Sequence, residues 1–163
     1  MPYMPYHFGP STLVGLVFKK YIDIPVFVLV NVAVDLEVLV ITLFKFGWPP
    51  HRYFHTLLIG TAVGAAFGAV AYVAKPVFDL AMRLLKVPYQ TGFLKMIISG
   101  VLGVWLHVII DAIYHWQLWI FWPSRANPLY GLISRGQIEA ICIACFFAAF
   151  ILYLFIIRVF KKN

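Results

Sequence analysis

His51-Arg52-Tyr53-Phe54-His55 and His107-Val108-Ile109-Ile110-Asp111 each hold two metal-ligand side chains four residues apart. On a helix, residues at that spacing project to the same side, so each pair could bind one ion from a single face. His115 extends the second row by another turn, while His7 and Asp35 lie on separate segments. Imidazole with carboxylate suits a divalent metal, zinc first, with manganese or iron as alternatives. A mixed set without thiolate that leaves coordination positions open is catalytic rather than structural in style. Single residues have plainer readings. His51 could cap a helix after Pro49-Pro50, His107 and Asp111 could share a hydrogen bond inside a bundle, and His115 could snorkel at an interface. Two pairs taken together favour a metal site, with His55, His107 and Asp111 as core ligands and Asp35, His51 and His7 completing the cluster.

The chain that must position them has 163 residues, 63% hydrophobic and 12% charged, with a mean hydropathy of +0.91. That composition excludes an ordinary soluble domain. It predicts one membrane-embedded all-α domain, a polytopic helix bundle. About 20 largely apolar residues cross about 30 Å of hydrocarbon, and residues 24–44, 51–74, 94–122 and 137–160 qualify. Residues 8–18 form a half-length helix, and 76–86 read as an amphipathic surface helix with Asp79 and Arg83 as an i, i+4 pair. Ionisable side chains within such segments are costly unless paired or coordinated, which makes each a functional suspect.

The net charge of +7 is not a nucleic-acid footprint, because no basic cluster with exposed aromatics forms a soluble module. Lys19, Lys20, Lys75, Arg83, Lys86, Lys95, Arg158, Lys161 and Lys162 fall on one side of the predicted spans. Lys45, Arg52, Arg125 and Arg135 fall on the other. By the positive-inside rule the first set and the C-terminus are cytoplasmic. A cleavable signal peptide is not expected, since the short apolar run at the N-terminus is followed, not preceded, by lysines. Counted from Lys19, His7 stands about 18 Å up the first helix, and Asp35 stands at a similar height on the next.

Gly60, Gly64 and Gly68 form a small-residue row that permits close helix approach, either within the chain or in a homo-oligomer. Cys142 and Cys145 make a C-x-x-C inside an apolar helix, where small buried core residues are the better reading than a redox pair. Ser134 and Gln137 suit a capping box, which makes Glu139 a helix-end charge. Glu37 sits two residues from Asp35 and points elsewhere on a helix, so it serves as general base or outer-shell partner only if the helix unwinds. Asn31, one turn before Asp35, is placed to orient it. The Arg52 guanidinium could pair with a carboxylate or clamp a phosphate.

Taken in order, His7-Phe8-Gly9-Pro10, Val34-Asp35-Leu36-Glu37, His51-Arg52-Tyr53-Phe54-His55-Thr56-Leu57-Leu58, His107-Val108-Ile109-Ile110-Asp111, Trp122-Pro123 and Asn127-Pro128-Leu129 cover nearly the whole chain. This series resembles the YdjM-type membrane-bound metal-dependent hydrolases of bacteria and archaea. Glu37 stands where that family usually has a second aspartate, and Tyr53 where it usually has glycine. The order His, Asp, His, then His-x-x-x-Asp is also similar, more distantly, to the zinc-dependent phospholipase C and single-strand nuclease superfamily. The resemblance implies a hydrolase in a prokaryotic cytoplasmic membrane. The expectation is hydrolysis of a phosphoester in a membrane lipid or lipid-linked substrate, with Arg52 on phosphate and Glu37 or Asp35 managing the proton. The alternatives are a metal-binding transporter and a non-catalytic scaffold or assembly subunit.

Overall fold

The computed structural model describes residues 5–160, in which helices and turns are the only regular structure. Helix α1 spans Pro5–Val17, α2 Ile24–Leu43, α3 Leu57–Ala71, α4 Lys75–Leu84, α5 Phe93–Tyr114 and α6 Arg135–Phe160; a 3-10 turn, Tyr72–Ala74, joins α3 to α4. Four runs are long and apolar enough to cross a membrane: Ile24–Leu43, Leu57–Leu84, Phe93–Tyr114 and Arg135–Val159. Their outer faces expose Leu39, Leu58, Ile98, Phe147, Ile151 and Phe155. In water, a surface of that kind would have nothing to cover it. Lys161 and Lys162 lie outside the described residues.

The chain reverses at each connection, so α1, α3 and α6 run one way and α2 and α5 the other. All the histidines therefore gather at one end, where α1 begins and α2 and α5 finish. Lys19, Lys20, Lys75, Arg83, Lys86, Lys95 and Arg158 gather at the opposite, basic end. Helix α1, at 13 residues, is about 20 Å long and cannot match its neighbours.

At the basic end, Asp23 caps α2. Its carboxylate accepts the Val26 N–H at 3.0 Å and the Tyr89 hydroxyl at 2.6 Å, and also a hydrogen bond from Thr91. Its own N–H donates to Ser99 Oγ at 2.7 Å. One buried aspartate thus fastens the start of α2 and the loop before α5 through its carboxylate, and α5 itself through its backbone N–H. Burial, helped by Asp23, pushes the Tyr89 phenol up.

Between α3 and α5 the small residues decide the spacing. A Cβ on Gly64 would stand 2.6 Å from the Gly100 carbonyl oxygen, and one on Gly68 would stand 2.7 Å from the Ile97 Cα. The two backbones touch directly, as small-x-x-x-small rows allow. The glycine row is therefore internal to the chain.

Helix α4 lies across the basic end. Phe78 packs on Val26, Ala71 and Met96, whereas Met82 packs with Leu16, Ala149 and Ile156. Its salt bridge is Lys75 to Asp79 at 2.6 Å, not the expected Asp79 to Arg83. Both alternatives have i, i+4 spacing.

Candidate metal centre

Helix α3 starts at Leu57, capped by the Thr56 hydroxyl on the Ile59 N–H. Residues 51–56 are thus a non-helical entry, and His51 and His55 do not share the helix face their spacing suggested. The turn that follows Pro49-Pro50 gives its backbone N–H groups to Glu37 instead. Its carboxylate accepts the N–H groups of Arg52 at 3.1 Å, Tyr53 at 2.7 Å and Phe54 at 3.0 Å. It also bonds His55 Nδ1 at 3.0 Å. Helix α2 remains continuous through Glu37, so the outer position is reached without the unwinding expected.

His107 and Asp111 do share one face of α5, one turn apart. His107 Nδ1 bonds Asn31 Oδ1 at 3.0 Å, and the Asn31 amide is fixed by donating to Ser11 Oγ at 3.0 Å and the Val28 carbonyl at 2.7 Å. Asn31 therefore orients His107, not Asp35 as its spacing implied. With Nδ1 engaged on both His55 and His107, each ring turns Nε2 toward the centre. This is the usual way an outer partner fixes a metal-binding imidazole.

The inward atoms stand at a characteristic separation. His107 Nε2 is 3.3 Å from Asp111 Oδ2 and 3.5 Å from Asp35 Oδ1; His55 Nε2 is 3.6 Å from the same two oxygens. His7 Nε2 is 3.3 Å from Asp111 Oδ1, and His51 Nε2 is 3.7 Å from Asp111 Oδ2. Hydrogen bonds from nitrogen to oxygen peak near 2.9–3.0 Å. Two ligands that each stand about 2.0–2.2 Å from one tetrahedral ion are instead about 3.3–3.6 Å apart. His55 Nε2, His107 Nε2 and Asp111 Oδ1 are buried without a hydrogen-bond partner among the described residues. A bare arrangement of this kind would be costly. Asp35, His55, His107 and Asp111 form a buried group able to hold a metal ion.

Asp111 belongs to a second group with His51 and His115. The His115 ring stacks on His51 at 4.2 Å, and the His7 ring stacks on His107 at 4.0 Å. Burial, with His55 next to it, pushes His51 down to about 3; the ring is neutral and keeps a lone pair for coordination. Thus all five histidines of the chain are buried in one cluster.

His115 was open to the interfacial reading in sequence, because it follows the last residue of α5. Asn127 decides otherwise: its side chain donates to the carbonyls of Ala112 and His115, each at 2.9 Å, and holds the end of the helix in place. The Asn-Pro pair was the only local signal for this role. Ser11, the support of Asn31, had none.

Arg52 is half-buried, its guanidinium 4.5 Å from the Trp48 ring centre and 4.7 Å from that of Tyr53. With Pro49, His51, Gln117 and Trp119 it lines a pocket of about 140 Å³ beside the cluster. Cys142 and Cys145 are both free, and Glu139 accepts from the Tyr114 hydroxyl at 3.2 Å, apart from the ligand groups. No protein-family model matches the chain, and no curated protein or solved structure matches it significantly.

Proposed function

We propose that this chain is a metal-dependent hydrolase of the cytoplasmic membrane that cleaves a phosphoester in a lipid or lipid-linked substrate. The observation that carries the reading is the buried set of imidazole Nε2 and carboxylate atoms held 3.3–3.7 Å apart, of which His55 Nε2, His107 Nε2 and Asp111 Oδ1 have no hydrogen-bond partner among the described residues. A purely hydrogen-bonded core would bring those atoms closer. The order of motifs shared with the YdjM-type hydrolases, and the gathering of basic residues at the end remote from the cluster, support the same reading.

Asp35, His55, His107 and Asp111 hold a first divalent ion, zinc by preference, since nitrogen and oxygen donors at tetrahedral spacing suit it. His51, His115 and a shared Asp111, with His7 on its other oxygen, provide for a second. A divalent ion held there would supply electrophilic polarisation of a phosphoryl oxygen and lower the pKa of a water toward neutrality. Glu37 and Asn31 are positioning residues, each fixing one imidazole. Arg52 borders the pocket, where its planar fork binds a phosphate entering beside His51. Asp35, 14% exposed against 2% for Asp111, is the carboxylate with a path for a proton to leave.

Elemental mass spectrometry on detergent-purified protein tests the first step, wild type beside His107→Ala. Near-stoichiometric zinc, manganese or iron that falls in the variant is the expected result. Incubation of the metal-loaded protein with mixed phospholipid vesicles then yields a phosphorylated or headgroup product that a chelator abolishes and Arg52→Ala reduces. Protein free of metal after chelator-free purification would overturn the reading, and metal-replete protein inert on every lipid class would return it to a transporter or scaffold.

A further inference from the structure

Below the last turn of the short helix α1, the bundle has a gap. Helix α1 stops at Val17 while α6, running parallel to it, continues to Phe160. Thr12 and Leu16 of α1, Ile24 at the start of α2, Met82 and Leu85 of the α4 region, Val87, and Phe146, Ala149, Phe150 and Tyr153 of α6 enclose a groove of about 300 Å³. The wall is apolar apart from Thr12 and Tyr153, and the Tyr153 hydroxyl is engaged on the Leu85 carbonyl at 3.0 Å. Phe146 and Phe150 are exposed on its outer side, so the groove opens laterally among the lipid-facing residues of α6.

Charged residues line the hollows next to that groove. Val87 is shared with a recess lined by Asp79, Arg83 and Tyr89, and Tyr89 is shared in turn with a pocket of about 450 Å³ lined by Lys19, Lys20, Pro88, Gln90 and Lys95. The three hollows are therefore neighbours along the basic end of the bundle. Lys95 Nζ is held in position by the carbonyls of Lys19 at 3.1 Å and Gln90 at 2.8 Å. The Asp23 hub described above fixes the loop that carries Tyr89. An apolar slot next to a pocket lined by three lysines at one end of a helix bundle matches the two parts of one molecule, an acyl chain and an anionic headgroup.

We infer that this groove and its lysine pocket bind an anionic glycerophospholipid, one acyl chain against α1 and α6 and its phosphate against Lys19, Lys20 and Lys95. The site lies at the end opposite the metal cluster. Along α5, the 12 residues from Lys95 to His107 separate the two by about 18 Å. It therefore serves as a structural or regulatory lipid site, distinct from substrate cleavage.

Native mass spectrometry of the full chain, released from detergent after incubation with phosphatidylglycerol or phosphatidylcholine of identical acyl chains, tests it. Phosphatidylglycerol is retained in preference, and the preference falls about fivefold for each lysine replaced by glutamine, following the usual worth of one basic residue against an anionic lipid. Thr12→Trp, which fills the groove, reduces retention of both lipids, and stripping the metal leaves retention unchanged. Lys20 is exposed, so Lys20→Gln alone reads the headgroup contact without risk to the core. Equal retention of the two lipids, or an unchanged preference in Lys19→Gln/Lys20→Gln/Lys95→Gln, would overturn the inference. So would a dimer that carries no lipid, since a second copy would then be covering the groove.

Discussion

Glu37 is the residue whose neighbours say most about how the cluster is held. Its two oxygens take three consecutive backbone N–H groups and one imidazole nitrogen, an arrangement only a carboxylate can satisfy, because an amide has a single acceptor oxygen. Glu37→Gln must therefore release part of the 52–54 turn and loosen His55. Loss of such an outer partner typically lowers metal affinity 10–100-fold, and competition with a chromogenic chelator measures it. Glu139→Gln is the control, since Glu139 meets Tyr114 and not the ligands; equal losses in the two variants would remove Glu37 from the site. In sequence, Glu37 looked misdirected because it is 200° around α2 from Asp35. It was the chain entering α3, not α2, that came to meet it.

At the scale of elements, the approach of α3 to α5 sets the distance between His55, just before α3, and His107 on α5. Gly64→Val places its branch against the Gly100 backbone, where a Cβ already stands 2.6 Å from the carbonyl oxygen. Overpacking of this kind costs about 1–3 kcal/mol, and the splayed helices draw the ligands apart. The expected outcome is a lower unfolding temperature together with reduced metal content. Gly136→Ala, at the open start of α6 where an added Cβ meets nothing within 4 Å, leaves both unchanged. The four-residue glycine spacing was readable directly. Its partner was not, since Gly100 has no four-residue row of glycines on its own helix to mark the facing side.

The whole molecule ties the cluster to stability. The candidate ligands come from α1, α2, the 51–56 entry, α5 and the residue that follows α5, so an ion bound there would brace most of the bundle against separation. At a free metal concentration a hundredfold above Kd, binding to the folded state alone contributes about 2.7 kcal/mol. For a chain of this size that is a shift of about 5–10 °C in Tm. Chelation should lower Tm by that amount while helical circular dichroism at 25 °C persists, and zinc should restore it. An unchanged Tm in metal-replete and stripped protein would mean that the cluster is held by its own hydrogen bonds and packing.

What the sequence determined by itself was local in origin: the number of apolar spans, the short first helix, the amphipathic α4 and the identity of the side chains able to bind a metal. Hydropathy is a property of a segment, and a charged or metal-binding residue within an apolar run announces itself. Where those residues meet was a tertiary matter. A helix apolar all round has no amphipathic stripe to say which face turns inward, so neither the Asn31–His107 bond nor the joining of His51 with His115 could be read from spacing. The same lack of a polar face hid the Gly64–Gly100 contact, and the non-helical 51–56 turn is held by Glu37 reaching it from another helix.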